Sequence, residues 1–261
     1  RMRYISSFII MAVVILLNPS FGRAEVKEFI AEGTYNMGDG ETPSVAESRA
    51  LLNAKQIALE QAGTYVESHI KVENLKLTKD EIEVLASGIM EVTILDKKRD
   101  IVGDGFRFWV KINAKIAPDK IDDMAKRVKE KTVVEDYKKV QEAYARSERE
   151  IEALKKQLAD AKGEKEKKQA EARITDEERL FQATEWFEKG YGHYLKNEYD
   201  YDYALEAYTS AIALNPDLAI AYIGRGYTYR NKGQYDRAIE DYNRAIAINP
   251  DLADAYYNRG N

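Results

Sequence analysis

The sequence predicts a three-part fold: a small N-terminal α+β domain, a long charged helix of coiled-coil character, and an all-α solenoid truncated at its C-terminus. Three observations carry this. Residues 211–222, AIALNPDLAIAY, return 34 residues later at 245–256 as AIAINPDLADAY, and a fixed period of that length marks stacked helix–turn–helix units. Residues 133–161 keep a 4-3 spacing of apolar or small side chains. Residues 106–116, FRFWVKINAKI, alternate strictly, as a half-buried strand does.

The first 24 residues have the order of a secretory leader: Arg1 and Arg3, an apolar run from Phe8 to Leu17, then Gly22-Arg23-Ala24 with small residues before a cut. Cleavage after Ala24 is expected, the alternative being an uncleaved N-terminal anchor. Loss of Arg1, Arg3 and Arg23 takes the formal charge from −5 to −8, which gives no general attraction for nucleic acid or anionic membranes. The chain has no cysteine, hence no disulfide framework and no residue to carry a bacterial lipid anchor. A periplasmic protein that is not a lipoprotein, without stable membrane insertion after cleavage, is the expectation.

Residues 25–118 form the α+β unit. KEFIAEGTY (27–35) reads as a strand and the glycines and proline of 37–43 as a loop. A helix begins at Ser44 or Glu47 and places Ala46, Ala50, Leu51, Ala54, Ile57, Ala58, Gln61 and Ala62 on one face, with Gly63 ending or kinking it. Residues 68–75 are expected as a strand, and 77–89 as a helix capped by Thr78 with Glu81 completing a capping box. Strands at 90–95 and 106–116 finish a β-α-β-α-β-β order. The string ESRALLNAKQIALEQAGTYVES with LTKDEIEVLASGIMEV resembles a bacterial envelope module found before repeat regions in exported proteins, and is distantly similar to the N-terminal domain of flagellar assembly protein T. That resemblance implies a structural or assembly role and no chemistry.

Residues 119–178 are dense in charge of both signs. Val133, Tyr137, Val140, Tyr144, Ser147, Ile151, Leu154, Leu158 and Ala161 make a seam that predicts self-association through 133–161, as a parallel dimer or trimer. The alternative is a solvated single helix. From Lys162 to Arg173 the seam turns polar, and fraying or a hinge is expected there.

Residues 179–261 carry the duplication. Ala221–Tyr222, Gly226, Tyr229, Gly233, Tyr235, Ala238, Tyr242, Ala245 and Pro250 have the spacing of two helices that meet at small residues, and Pro250 stops the second. This spacing resembles the tetratricopeptide repeat. An earlier copy runs through Trp186, Gly190, Tyr208, Ala211 and Pro216, and a third starts at Ala253, so two repeats and the start of another are expected. The resemblance implies that the first helix of each unit lines a concave surface for a protein or peptide. Position by position this gives Phe187, Tyr191, Tyr194 and Leu195 from repeat one, and Ile223, Tyr227, Arg230 and Asn231 from repeat two. Thirteen of eighteen tyrosines lie in 181–261, and aromatics with an arginine supply the strongest contacts of many interfaces.

Catalytic patterns are missing. The only histidines, His69 and His193, lie in different segments, and neither a phosphate-binding glycine loop nor a nucleophile elbow occurs. The expected function is that of a non-enzymatic scaffold or adaptor, with no cofactor or metal. The alternative is a structural part of an envelope machine, of flagellar or secretion type, docked through its N-terminal domain.

Overall fold

The computed structural model describes residues 26–72, 76–103, 105–128, 131–196 and 200–260; the leader expected at 1–24 lies outside them. Three strands, β1 (Lys27–Met37), β2 (Glu91–Val102) and β3 (Gly105–Ile116), form an antiparallel sheet in the order β1-β3-β2. The central place of β3 explains its alternation: Phe108, Val110, Ile112, Ala114 and Ile116 all point into the core. On the opposite face Glu28 and Glu32 of β1 pair with Lys115 and Lys111 of β3.

Helix α1 (Pro43–Val72) covers that inner face. Its buried stripe steps by four residues, through Ala46, Ala50, Ala54, Ala58, Ala62, Val66 and Ile70. The strand expected at 68–75 is corrected by this stripe: residues 68–72 continue α1, and 73–75 lie outside the described residues. Val66 and Ile70 extend the apolar face beyond Gly63, and their burial offsets the roughly 1 kcal/mol that a mid-helix glycine costs. Small side chains bring α1 very near β1. A Cβ on Gly33 would stand 2.2 Å from the Ala50 carbonyl oxygen. Helix α2 (Lys79–Ile89) has the expected cap, with the Glu81 amide donating to Thr78 Oγ1 and the Thr78 amide to Glu81. The observed order of this unit is therefore β-α-α-β-β. Strand β2 also runs past the expected 95 to Val102, bulging between Ile94 and Asp96.

After a 3₁₀ turn at Pro118–Lys120 come α3 (Ile121–Arg127), α4 (Lys131–Asp160) and α5 (Glu164–Lys196). Helices α4 and α5 form an antiparallel hairpin around Gly163, which Arg173 with Glu150 and Tyr144 with Phe181 span. Here the expectation of self-association through 133–161 meets a correction. Tyr137, Val140, Tyr144, Ser147, Ile151, Leu154 and Leu158 are all buried within one chain. Ala170 and Ile174 of α5 cover Ile151, Leu154 and Leu158. Tyr137, Val140 and Tyr144 join the core of the α+β unit. The heptad spacing is real, and its partner is the stripe on the chain's own α5. Ala161 is half-buried, and the Val133 side chain lies outside those described.

Polar groups lock the hairpin to the α+β unit. The buried Glu41 carboxylate accepts from the Tyr35 hydroxyl at 2.6 Å, the Gly38 amide at 2.7 Å and Lys155 Nζ of α4 at 2.7 Å. Burial, and then the Glu41 carboxylate, push the Tyr35 hydroxyl far above its usual range. Arg49 of α1 is fully buried, with its guanidinium 4.4 Å from the Phe181 ring centre and donating to Ser147 Oγ at 3.2 Å.

Helices α6 (Tyr201–Leu214), α7 (Ala219–Asn231), α8 (Tyr235–Ile248) and α9 (Ala253–Gly260) follow, each packed on the one before it, with α6 on α5. The 33-residue α5 thus belongs to both the hairpin and the first repeat, and it crosses the boundary expected at 178 and 179 without a break. Tyrosine rings fill the glycine notches between helices: Tyr208 lies against Gly190 and Gly224, and Tyr242, 34 residues on, against Gly226. Gly233, at φ +73°, closes the α7–α8 turn in a conformation that favours glycine.

Candidate partner-binding surface

Helix α7 supplies the candidate surface. Its core side is fixed by Ala221, Tyr222 and Gly226, which are buried against α6 and α8. Ile223, Tyr227 and Arg230, spaced by four and three residues, then fall together on a half-buried stripe, with Asn231 exposed beside it. The Arg230 guanidinium lies 4.8 Å from the Tyr227 ring centre, and its Nη1 donates to Asn258 Oδ1 of α9 at 3.1 Å. Asn258 Nδ2 in turn donates to the Asp254 carbonyl at 2.8 Å. The patch therefore holds an apolar side chain, an aromatic ring, a planar cation and two amides, held in place across two neighbouring units.

Behind it sits a second arginine. Arg225 makes two parallel bonds to Asp241 of α8, Nε to Oδ2 and Nη2 to Oδ1, each 2.8 Å. That carboxylate holds the Arg225 guanidinium even more firmly protonated than usual. Arg225 also donates to Thr209 of α6 at 3.3 Å, so one side chain ties α6, α7 and α8. The rings of Tyr222 and Tyr229 lie 5.6 and 6.0 Å from it.

Repeat one behaves differently. Phe187 and Tyr191, expected on the concave surface, are core residues with 2% and 7% exposure. Their rings stack at 5.8 Å, and Phe187 meets Tyr208 of α6 at 5.7 Å. The cause is the extra packing on α5, which contacts α2, α3 and α4 in addition to α6. Both side chains belong to the same cluster as the core of the α+β unit. Tyr194 and Leu195 lie on α5, but their side chains are outside those described. Asn258 was missed by sequence reasoning, which stopped at the first helix of repeat two. The 34-residue period carries Tyr222 to Tyr256 and places Asn258 on the equivalent helix, so the signal was present.

Among the described residues no three metal-ligating side chains converge, and no helix is long and apolar enough to cross a membrane. Comparison with known families agrees with the helix pairs. Residues 226–261 match the family described as TPR repeat, and residues 207–240 match that described as tetratricopeptide repeat. Comparison with curated proteins gives no match. Residues 207–261 thus carry tetratricopeptide-type repeats, a kind of repeat that suggests protein–protein interaction.

Proposed function

We propose that this is an exported, non-enzymatic adaptor of the bacterial envelope that binds a protein or peptide through the α7 face of its repeats. One observation carries the reading: Ile223, Tyr227 and Arg230 stay half-exposed on α7 while Phe187 and Tyr191 of α5, which match the first two, are absorbed into the core. Ring and guanidinium are held stacked before a partner arrives, so less side-chain entropy is lost on binding. The leader-like order of residues 1–24 supports export, and the absence of cysteine supports a form without a lipid anchor. The repeats then act on a rigid base, because α5 is shared with the hairpin. A second reading, assembly into an envelope machine through the α+β unit, draws support from the edge strand β2, which is exposed along almost its whole length.

The test is site-specific photocrosslinking in the source cells. A crosslinker at exposed Asn231 is expected to trap a discrete polypeptide, one at exposed Tyr235 of α8 to trap none, and Tyr227→Ala with Arg230→Ala to abolish the Asn231 product. Equal products at both positions, or a product indifferent to the double substitution, would remove the α7 face from the account.

A further inference from the structure

The sheet of the α+β unit has two edge strands, β1 and β2, and α1 packs closely on β1 and little on β2. Strand β2 is an edge strand, hydrogen-bonded to β3 on one side, and every residue of it except Val92 is exposed. Helix α1 packs across β1 and β3, leaving the margin beyond uncovered. Because of the bulge at Ile94 and Asp96, the residues of β2 on the helix-facing side follow the order Ile94, Lys97, Arg99, Ile101, opposite Ile112, Val110, Phe108 and Phe106 of β3. Ile94 is 46% exposed and Ile101 78%. Two large aliphatic side chains in water flank two cations. A cleft of about 320 Å³ opens beside them, lined by Pro43, Ser44, Glu47, Lys97, Arg99 and Phe108.

We infer that the free edge of β2 accepts an extended acidic segment of another protein as a fourth strand, with apolar side chains over Ile94 and Ile101 and carboxylates beside Lys97 and Arg99. Backbone pairing at an uncovered edge supplies affinity and alternate side chains supply selectivity; the bulge and the cations of β2 disfavour uncharged or basic strands, which leaves an acidic one. Charge selects the occupant. The chain as a whole is acidic, at −5, yet Lys97, Lys98 and Arg99 are consecutive on this strand. Lys97 is partly neutralised by Glu47 at 2.7 Å and Lys98 by Asp96 at 3.3 Å. Arg99 has no carboxylate within ion-pairing distance among the described residues and stacks on Phe106 at 4.9 Å, which makes it the principal anchor. The N-terminus of the 30-residue α1, whose first turn has no acidic residue, adds positive potential at the cleft. A second copy of this chain fits poorly. With Leu95 bulged out on both strands, antiparallel pairing of two β2 strands with Ile94 opposite Ile101 would set Lys97 against Arg99, Lys98 against Lys98 and Asp96 against Asp100, and like charges directly opposite destabilise a sheet.

The probe is a labelled peptide, Thr-Val-Thr-Glu-Thr-Glu-Thr-Val-Thr, which presents its valines and glutamates on one face and reads the same in either direction. Fluorescence anisotropy with the full chain is expected to show saturable binding at least about tenfold tighter than for the same peptide with lysines in place of glutamates. N-methylation of the amides on one edge should abolish binding, and N-methylation on the other should leave it intact. Arg99→Glu should reverse the preference between the two peptides, and Ile101→Thr should weaken both while circular dichroism stays unchanged. No saturable binding, equal binding of both peptides, or binding that survives N-methylation of both edges would overturn the inference. So would a concentration-dependent dimer that Ile101→Lys dissolves, which would assign the edge to a second copy.

Discussion

Tyr242 is buried to 1% exposure, and its hydroxyl has no hydrogen-bond partner among the described residues. Burial pushes that hydroxyl up to about 12. An unmatched polar atom in a core costs free energy, so Tyr242→Phe is expected to leave stability unchanged or raise it by about 1 kcal/mol, read from chemical denaturation. The ring itself is needed to fill the notch at Gly226. Tyr191 and Tyr227 show why aromatic residues are hard to sort from sequence. Both occupy equivalent places in first helices of the repeats, yet only α5 receives further packing from α2, α3 and α4. Those contacts come from residues far away in the chain, which a local pattern does not contain. Tyr191→Ala should therefore cost about 3 kcal/mol or more, as large-to-small changes of buried aromatics do. Tyr227→Ala should cost about 1 kcal/mol or less and act on binding instead. A scan of urea midpoints for the two variants separates these roles.

Elements were legible wherever their periodicity matched the packing that they receive. The alternation of β3, the capping box of α2 and the repeat helices α6 to α8 all emerged from spacing alone. Helix α1 was read short because Gly63 and the β-branched Val66 and Ile70 suggest a break and a strand, whereas the four-residue stripe continues through them. The α4 seam was legible as a seam, but nothing in its spacing says whether the facing helix is another chain or α5. The answer lay in Ala170, Ile174 and Phe181, an apolar stripe of α5 hidden among charges. At this scale the closest approach is between β1 and α1. Gly33→Ala would drive a methyl group into the Ala50 carbonyl and the Ala54 backbone. Overpacking against backbone cannot be relieved by a rotamer change, so a loss of about 3 kcal/mol or more is expected, seen as a lower urea midpoint.

For the molecule as a whole, the carboxyls around α5 set a pH response. Burial raises the Glu178 and Glu185 carboxyls above their ordinary value of 4.5, against opposing bonds from Thr42 to Glu178 and opposing charge from Lys189 and Lys55 near Glu185. A carboxyl with a raised folded value binds its proton more readily folded than unfolded. Stability therefore increases as pH falls from neutrality through the raised values toward 4.5, the opposite of the usual acid response. Glu185→Gln should raise the melting temperature at pH 7 and flatten its dependence between pH 7 and 5. Thermal melts across that interval check the sign.

The architecture depends on one joint: the hairpin packs its heptad seam inward, against α5, and so fixes the repeats to the α+β unit. Thermal unfolding of a chain carrying both Ile151→Asp and Leu154→Asp measures this most directly. The two side chains are fully buried between α4 and α5, and two buried charges without partners should remove several kcal/mol, a fall of roughly 10 °C or more in melting temperature. A variant that melts at the wild-type temperature, and differs only by dissociating from a dimer into folded monomers, would contradict the account.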